Sequence, residues 1–180
     1  MNTYRFAIWL TVVSFFGSAC NFSDRNNIQL SKGSVMSGKV ISIIDGDTYD
    51  VMVEGNQTLR VRMEGIDAPE RGMPFYRVSK NYLSQLCYNE VVELKITGVD
   101  NHERVLAFAY LEDGRELSHE LIRVGLAWHF KRYNSDRSLS ILEREARKFE
   151  RGLWADDNPL APWTYRSLRR QGKSASEIYL

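Results

Sequence analysis

The sequence predicts a five-stranded β-barrel carrying three helices, an α+β fold. Two observations carry that prediction. β-Branched runs in the first half are separated by tight-turn signals, and the elements follow in the order three strands, one helix, two strands, two helices.

The first strand is the run Val40, Ile41, Ile43, Ile44, which stops at Asp45-Gly46-Asp47-Thr48. A second strand resumes over Tyr49 to Val53, and Asp-Gly between two such runs is a hairpin signal. After a turn at Gly55-Asn56, Leu59, Val61 and Met63 alternate with Arg60 and Arg62. This third strand, 57–64, has one apolar and one cationic face. Pro74 opens a helix with Phe75, Ser79, Tyr82, Leu83 and Leu86 on one side. Strands follow at Val91 to Val99 and Val105 to Leu111. Ser118 is placed to cap a short helix that stops at Gly125. Leu139, Leu142, Ala146, Phe149 and Leu153 form the clearest helical stripe, with Gly152 as its stop. The order matches an OB-fold, a five-stranded barrel with a helix between its third and fourth strands.

The ends read differently. Residues 1–19 have the layout of an export signal: Arg5, an apolar stretch from Phe6 to Phe16, then Gly17-Ser18-Ala19 before Cys20. Cleavage after Ala19 gives a secreted or periplasmic protein; lipid on Cys20 gives an envelope lipoprotein tethered to the membrane, and both outcomes stay open. Residues 20–34 are a polar tether, 35–163 the folded domain and 164–180 a basic C-terminal tail with Arg166, Arg169, Arg170 and Lys173. The second cysteine, Cys87, ends an amphipathic stretch and reads as a buried structural thiol. A monomer is expected.

Charge excludes one class of explanation. Of 24 basic residues Arg5 lies in the export signal, which leaves 23 against 23 acidic ones. Net charge therefore steers no polyanion toward the domain, and any such binding must rest on local clustering.

Acidic and cationic groups gather at four strand ends and turns: Asp45-Gly-Asp47-Thr48, Arg62, Asp67-Ala68-Pro69-Glu70, and Asp100 with Arg104. Each alone is an ordinary turn or a solvated strand face. Together they have a chemical logic. Ca²⁺ prefers carboxylate and carbonyl oxygens in flexible geometry, which Asp47, Asp67 and the Ala68 carbonyl supply in part. Asp45 is placed to order a ligand water. Guanidiniums match phosphate oxygens in bidentate fashion, and Glu70 follows a metal ligand closely enough to serve as a general base for water.

The stretches IDGDTYDV, RMEGIDAPE, VDNHERVLAFAY, ELIRVGLAWHFKRY and LEREARKFERGLWADDNPLAPW, taken in order, resemble the thermonuclease (micrococcal nuclease-like) family over about Val35 to Trp163. The resemblance implies an OB-fold barrel, Ca²⁺ dependence, and hydrolysis of DNA and RNA to products ending in 3′-phosphate. It assigns Asp47 and Asp67 to the metal carboxylates and Ala68 to the carbonyl ligand. Arg62 and Arg104 match the catalytic arginines and Glu70 the base; Arg60 is set aside on its register with Asp67. Tyr133 fits a substrate contact, Lys131 replaces a tyrosine there, and His102 stands where an aromatic meets substrate. Glu103 departs from the glycine usual before the second arginine and is positioned to pair with a neighbouring cation.

Two other functions fit part of this pattern. One is a non-catalytic OB-fold module that binds single-stranded nucleic acid. The other is a metal-independent phosphodiesterase, because His129, Lys131 and Asp136 have HxKxxxxD spacing.

Overall fold

The computed structural model describes residues 30–179. The expected export signal and residues 20–29 of the expected tether, with Cys20, lie outside the described residues. Five strands close into a barrel: β1 (Val35–Ile43), β2 (Thr48–Val53), β3 (Gln57–Met63), β5 (Val91–Val99) and β6 (Val105–Tyr110), in the spatial order β1-β2-β3-β6-β5. All neighbours are antiparallel except β3 and β6, whose parallel pairing of Val61 with Val105 completes the ring. The predicted OB-fold is therefore observed, with α1 (Tyr76–Cys87) between the third and fourth barrel strands.

Alternation fixes which side chains fill the barrel. In β3 Val61 and Met63 are buried while Arg60 is exposed, and Val40, Tyr49, Val51, Leu94, Ile96 and Ala107 complete the interior. A one-residue slip in any strand would turn this set outward, so burial pins the register. Leu83 of α1, Leu117, Leu121 and Ile122 of α2 (Leu117–Arg123), and Leu139 of α3 (Arg137–Lys148) close the same core. Cys87 is a buried free thiol, pushed up to about 12 by burial first and Glu90 second, and so chemically quiet.

Two short strands escaped the sequence pattern: β4 (Ile66–Asp67) and β7 (Trp128–His129) pair with each other outside the barrel. Two residues are too few to show periodicity. Ser118 is not a helix cap. α2 begins at Leu117, and the buried Ser118 hydroxyl donates to the Glu64 carbonyl at 3.1 Å. The predicted third helical stripe also ends early. Glu150 takes φ 48°, so Phe149 is exposed and Leu153 is buried from a separate 3₁₀ turn, Gly152–Ala155.

The expected boundary at 163 falls inside a helix. Residues 164–179, expected as a tail, continue α4 (Pro162–Arg170) and form α5 (Ala175–Ile178). Pro162 opens α4 from a position that needs no N–H. Buried Tyr165 anchors it, donating its hydroxyl to the Arg71 carbonyl at 3.2 Å. Ser174 and Glu177 cap α5 reciprocally. The structure thus contains five α-helices among the described residues, where the sequence pattern predicts three. No helix among them is long and apolar enough to cross a membrane.

Candidate active site

One open cleft of about 650 Å³ is lined by Asp45, Asp47, Arg62, Asp67, Ala68, Glu70, His102, Arg104 and Tyr133. Nine of the ten predicted site residues therefore meet in one place. Lys131, the tenth, does not line it: its ammonium pairs with Glu143 at 2.5 Å beside a neighbouring cleft.

The β1–β2 turn supplies Asp45 and Asp47. Gly46 lets this turn sit hard against α1 and Ala68, since a Cβ there would meet Ser79 Oγ at 2.1 Å. Asp47 is buried and accepts from the Thr48 hydroxyl at 3.0 Å and from the Ala68 N–H at 2.6 Å. That last bond ties the first acidic turn to the second. Asp67 is brought back over the end of β3 by the Glu64-Gly65 turn and by the pairing of β4 with β7, and it is 1% exposed.

Arg62 joins the two acids. One guanidinium nitrogen lies 3.1 Å from Asp47 and 3.0 Å from Asp67, and the other donates to the carbonyls of Met63 and Ile66. Arg60, its rival, pairs with Asp50 across the exposed face of the sheet. Arg104 is held by Asp100, 2.7 Å away. Burial acts to raise Asp100, but hydrogen bonds from Arg104 and from the His102 N–H keep it below the usual carboxylate range. Glu103, in the left-handed region at φ 60°, is exposed and is not Arg104's partner.

A third arginine completes the cleft, and the sequence did not reveal it. Arg166 of α4 donates to both Asp67 oxygens, at 3.1 and 2.7 Å, and to Glu70 at 2.6 Å. It reaches Asp67 across 99 positions of chain, and no local pattern marks such a partner. The available signal was the apolar spacing of Trp163, Tyr165 and Leu168 around it.

Burial pushes the Asp67 carboxyl above its usual range, and the Asp47 charge adds to this against the pull of Arg166 and Arg62. Asp45 is pushed up to about 7, by burial first and by Asp47 second. Its folded value lies above its unfolded one, so between them the folded state holds a proton that the unfolded state releases. Asp45 therefore lowers stability as pH rises from about 4 to about 7. Asp45→Asn keeps an oxygen to accept the Asp47 N–H, a bond of 3.1 Å. In chelator the variant is expected to melt above the parent at about pH 8 and with it at about pH 4. Equal melting temperatures at the higher pH would refute this.

The donor set fits a hard cation. Two carboxylate oxygens already converge on a single positively charged nitrogen, and all candidate ligands are oxygens. No cluster of three or more His, Cys, Asp or Glu side chains suited to a metal is found among the described residues. A cation here would take its remaining ligands from backbone carbonyl and water.

The HxKxxxxD residues do not form a site. His129 is buried with Ser140 and Asn134 at its two ring nitrogens, 3.0 and 3.3 Å away, and Asp136 caps α3 through the Ser138 N–H. With Lys131 on Glu143, all three groups have structural partners.

The profile of the family described as staphylococcal nuclease homologue matches residues 60–156. An uncharacterized endonuclease of Escherichia coli is 36% identical over 129 residues, covering 72% of this chain and 84% of that protein. A second uncharacterized endonuclease, from Haemophilus influenzae, is 37% identical over 128 residues and 71% of each chain. Micrococcal nuclease of Shigella flexneri is 34% identical over 149 residues, 77% of this chain and 83% of that one. With this profile over more than half of the chain and relatives 34–37% identical over most of their length, the chain belongs to the staphylococcal nuclease family.

Proposed function

We propose that the protein is a Ca²⁺-dependent endonuclease that hydrolyses DNA and RNA with little sequence specificity, leaving 3′-phosphate ends. The observation that carries this reading is the convergence of Asp47 and Asp67 on one Arg62 nitrogen, in a cleft shared with Glu70 and Arg104. Asp47, Asp67 and the Ala68 carbonyl would hold the cation, and Asp45 would order a water beside it. When bound, Ca²⁺ supplies charge neutralisation at a phosphate oxygen.

The chain's own groups do the rest. Glu70 accepts the proton of the attacking water. Arg166 fixes the direction of that carboxylate through its short bond. Arg62 and Arg104 meet the charge that grows on the equatorial phosphate oxygens, where preorganised donors act with little reorganisation. Tyr133 and His102 stand at the mouth, open to substrate. The layout of residues 1–20 supports export, free or with lipid on Cys20, which would keep such an activity away from the cell's own nucleic acid.

The test is digestion of plasmid, single-stranded DNA and RNA by protein from Asn21 onward. Cleavage with Ca²⁺, loss of cleavage in chelator, and 3′-phosphate termini are expected. Undiminished cleavage in excess chelator would overturn the metal-dependent reading. Binding without cutting would favour a non-catalytic module instead.

A further inference from the structure

A second cleft, of about 530 Å³, adjoins the first between the segment 130–133, α3 and α4. Phe130, Tyr133 and Arg166 line both, so the two are continuous. Its charge is one-sided. Lys131, Arg132, Arg147, Arg166 and Arg170 line it with one acid, Glu143, and Arg166 is also paired with Asp67 and Glu70 of the first cleft. Glu143 is buried and already neutralised by Lys131 and Arg147. Among the described residues Arg132 and Arg170 have no ion-pair partner. In a chain with 24 basic and 23 acidic residues, such local excess is the clustering that polyanion binding requires.

The cleft is also aromatic. Phe130 stacks on Trp163 with centroids 5.3 Å apart and planes 7° apart, and Tyr133 meets Phe130 edge-on at 4.8 Å. Cations that follow a backbone beside ring faces that accept bases are the features of a single-strand groove. Its volume of about 530 Å³ lies in the range of small-ligand pockets, about 300–1,000 Å³, room for a nucleotide or two.

We propose that the second cleft binds the single strand that continues from the phosphate held in the first. Arg132 and Arg170 contact its phosphates, and the Phe130–Trp163–Tyr133 group contacts its bases. The proposal rests on the nuclease reading, and its test separates the two. The double variant Arg132→Ala/Arg170→Ala changes exposed side chains without an ion-pair partner, of which Arg132 lies over the Tyr133 ring, 5.7 Å from its centroid. Hydrolysis of bis(4-nitrophenyl) phosphate and of a thymidine dinucleotide, which occupy only the first cleft, is expected to be unchanged. For a long oligothymidylate, KM should rise about tenfold, a loss of about 1.4 kcal/mol. Binding of that oligomer in chelator, followed by fluorescence anisotropy, should depend less steeply on salt. The log–log slope should flatten by about 1.4, or 0.7 per lost phosphate contact. An unchanged salt slope, or equal rises in KM for short and long substrates, would overturn the second cleft. If the parent protein turns over none of these substrates, the nuclease reading fails, and the anisotropy slopes still decide the cleft.

Discussion

Glu70→Gln is expected to lower turnover on nucleic acid about 10²–10⁴-fold, the usual contribution of a positioned general base. The substitution is informative because so little else changes. Glutamine has the same length and keeps an oxygen to accept from Arg166, whose bond to Glu70 is 2.6 Å. The charge on Asp67 and the Arg62 bridge are untouched. What disappears is a carboxylate able to take a proton, worth about 3–5 kcal/mol of barrier at this fold-change. Half-saturation by Ca²⁺ should stay close to that of the parent, since Glu70 is not among the residues assigned to hold the cation. Single-turnover rates on a labelled oligonucleotide measure the effect. Near-normal turnover removes Glu70 from the mechanism, and a large shift in Ca²⁺ affinity moves it to the metal shell.

The second large effect is on stability. Gly125→Ala is expected to cost about 3 kcal/mol or more, from two sources. Gly125 has φ 71°, and a left-handed conformation costs an L-residue about 1–2 kcal/mol. An added Cβ would also lie 2.0 Å from the Arg151 carbonyl oxygen, so backbone must move, and overpacking of this kind costs about 1–3 kcal/mol. The close approach is reciprocal: a Cβ on Gly152 would meet the Gly125 carbonyl at 2.4 Å, and Leu153 donates its N–H to that same oxygen at 2.8 Å. This seam joins the end of α2 to the turn after α3, just before β7. Because β7 pairs with the strand that carries Asp67, activity should fall along with stability. Urea unfolding measures the first effect, and a loss below about 1 kcal/mol would show that the seam yields more easily than packed backbone should.

Legibility in the sequence followed the range of the interaction. The barrel strands were legible because Leu59, Val61 and Met63 alternate with arginines, and a period of two is a local signal. The acids at the β1–β2 turn and after β3 were legible for the same reason, since turn chemistry and strand ends are written in neighbouring residues. β4 and β7 were not, because each is two residues long and exists only by pairing with the other. Arg166 was hidden for a related reason. Its helix is held by one buried tyrosine and by aromatic stacking across the chain, and the cations around Tyr165 give the segment the composition of a solvated tail. Lys131 shows the converse. Its spacing suits a phosphate contact, but buried Glu143, brought close by α3, holds its ammonium.

The contact between Arg166 and Glu70 joins parts of the chain that leave the ribosome far apart in time. A nascent polypeptide that has completed its barrel has both acidic turns yet lacks the helix that orients the proposed base. It also lacks one wall of the adjoining basic groove. Under the proposed mechanism, a copy that stops before α4 would hold its base without the Arg166 contact that aims it.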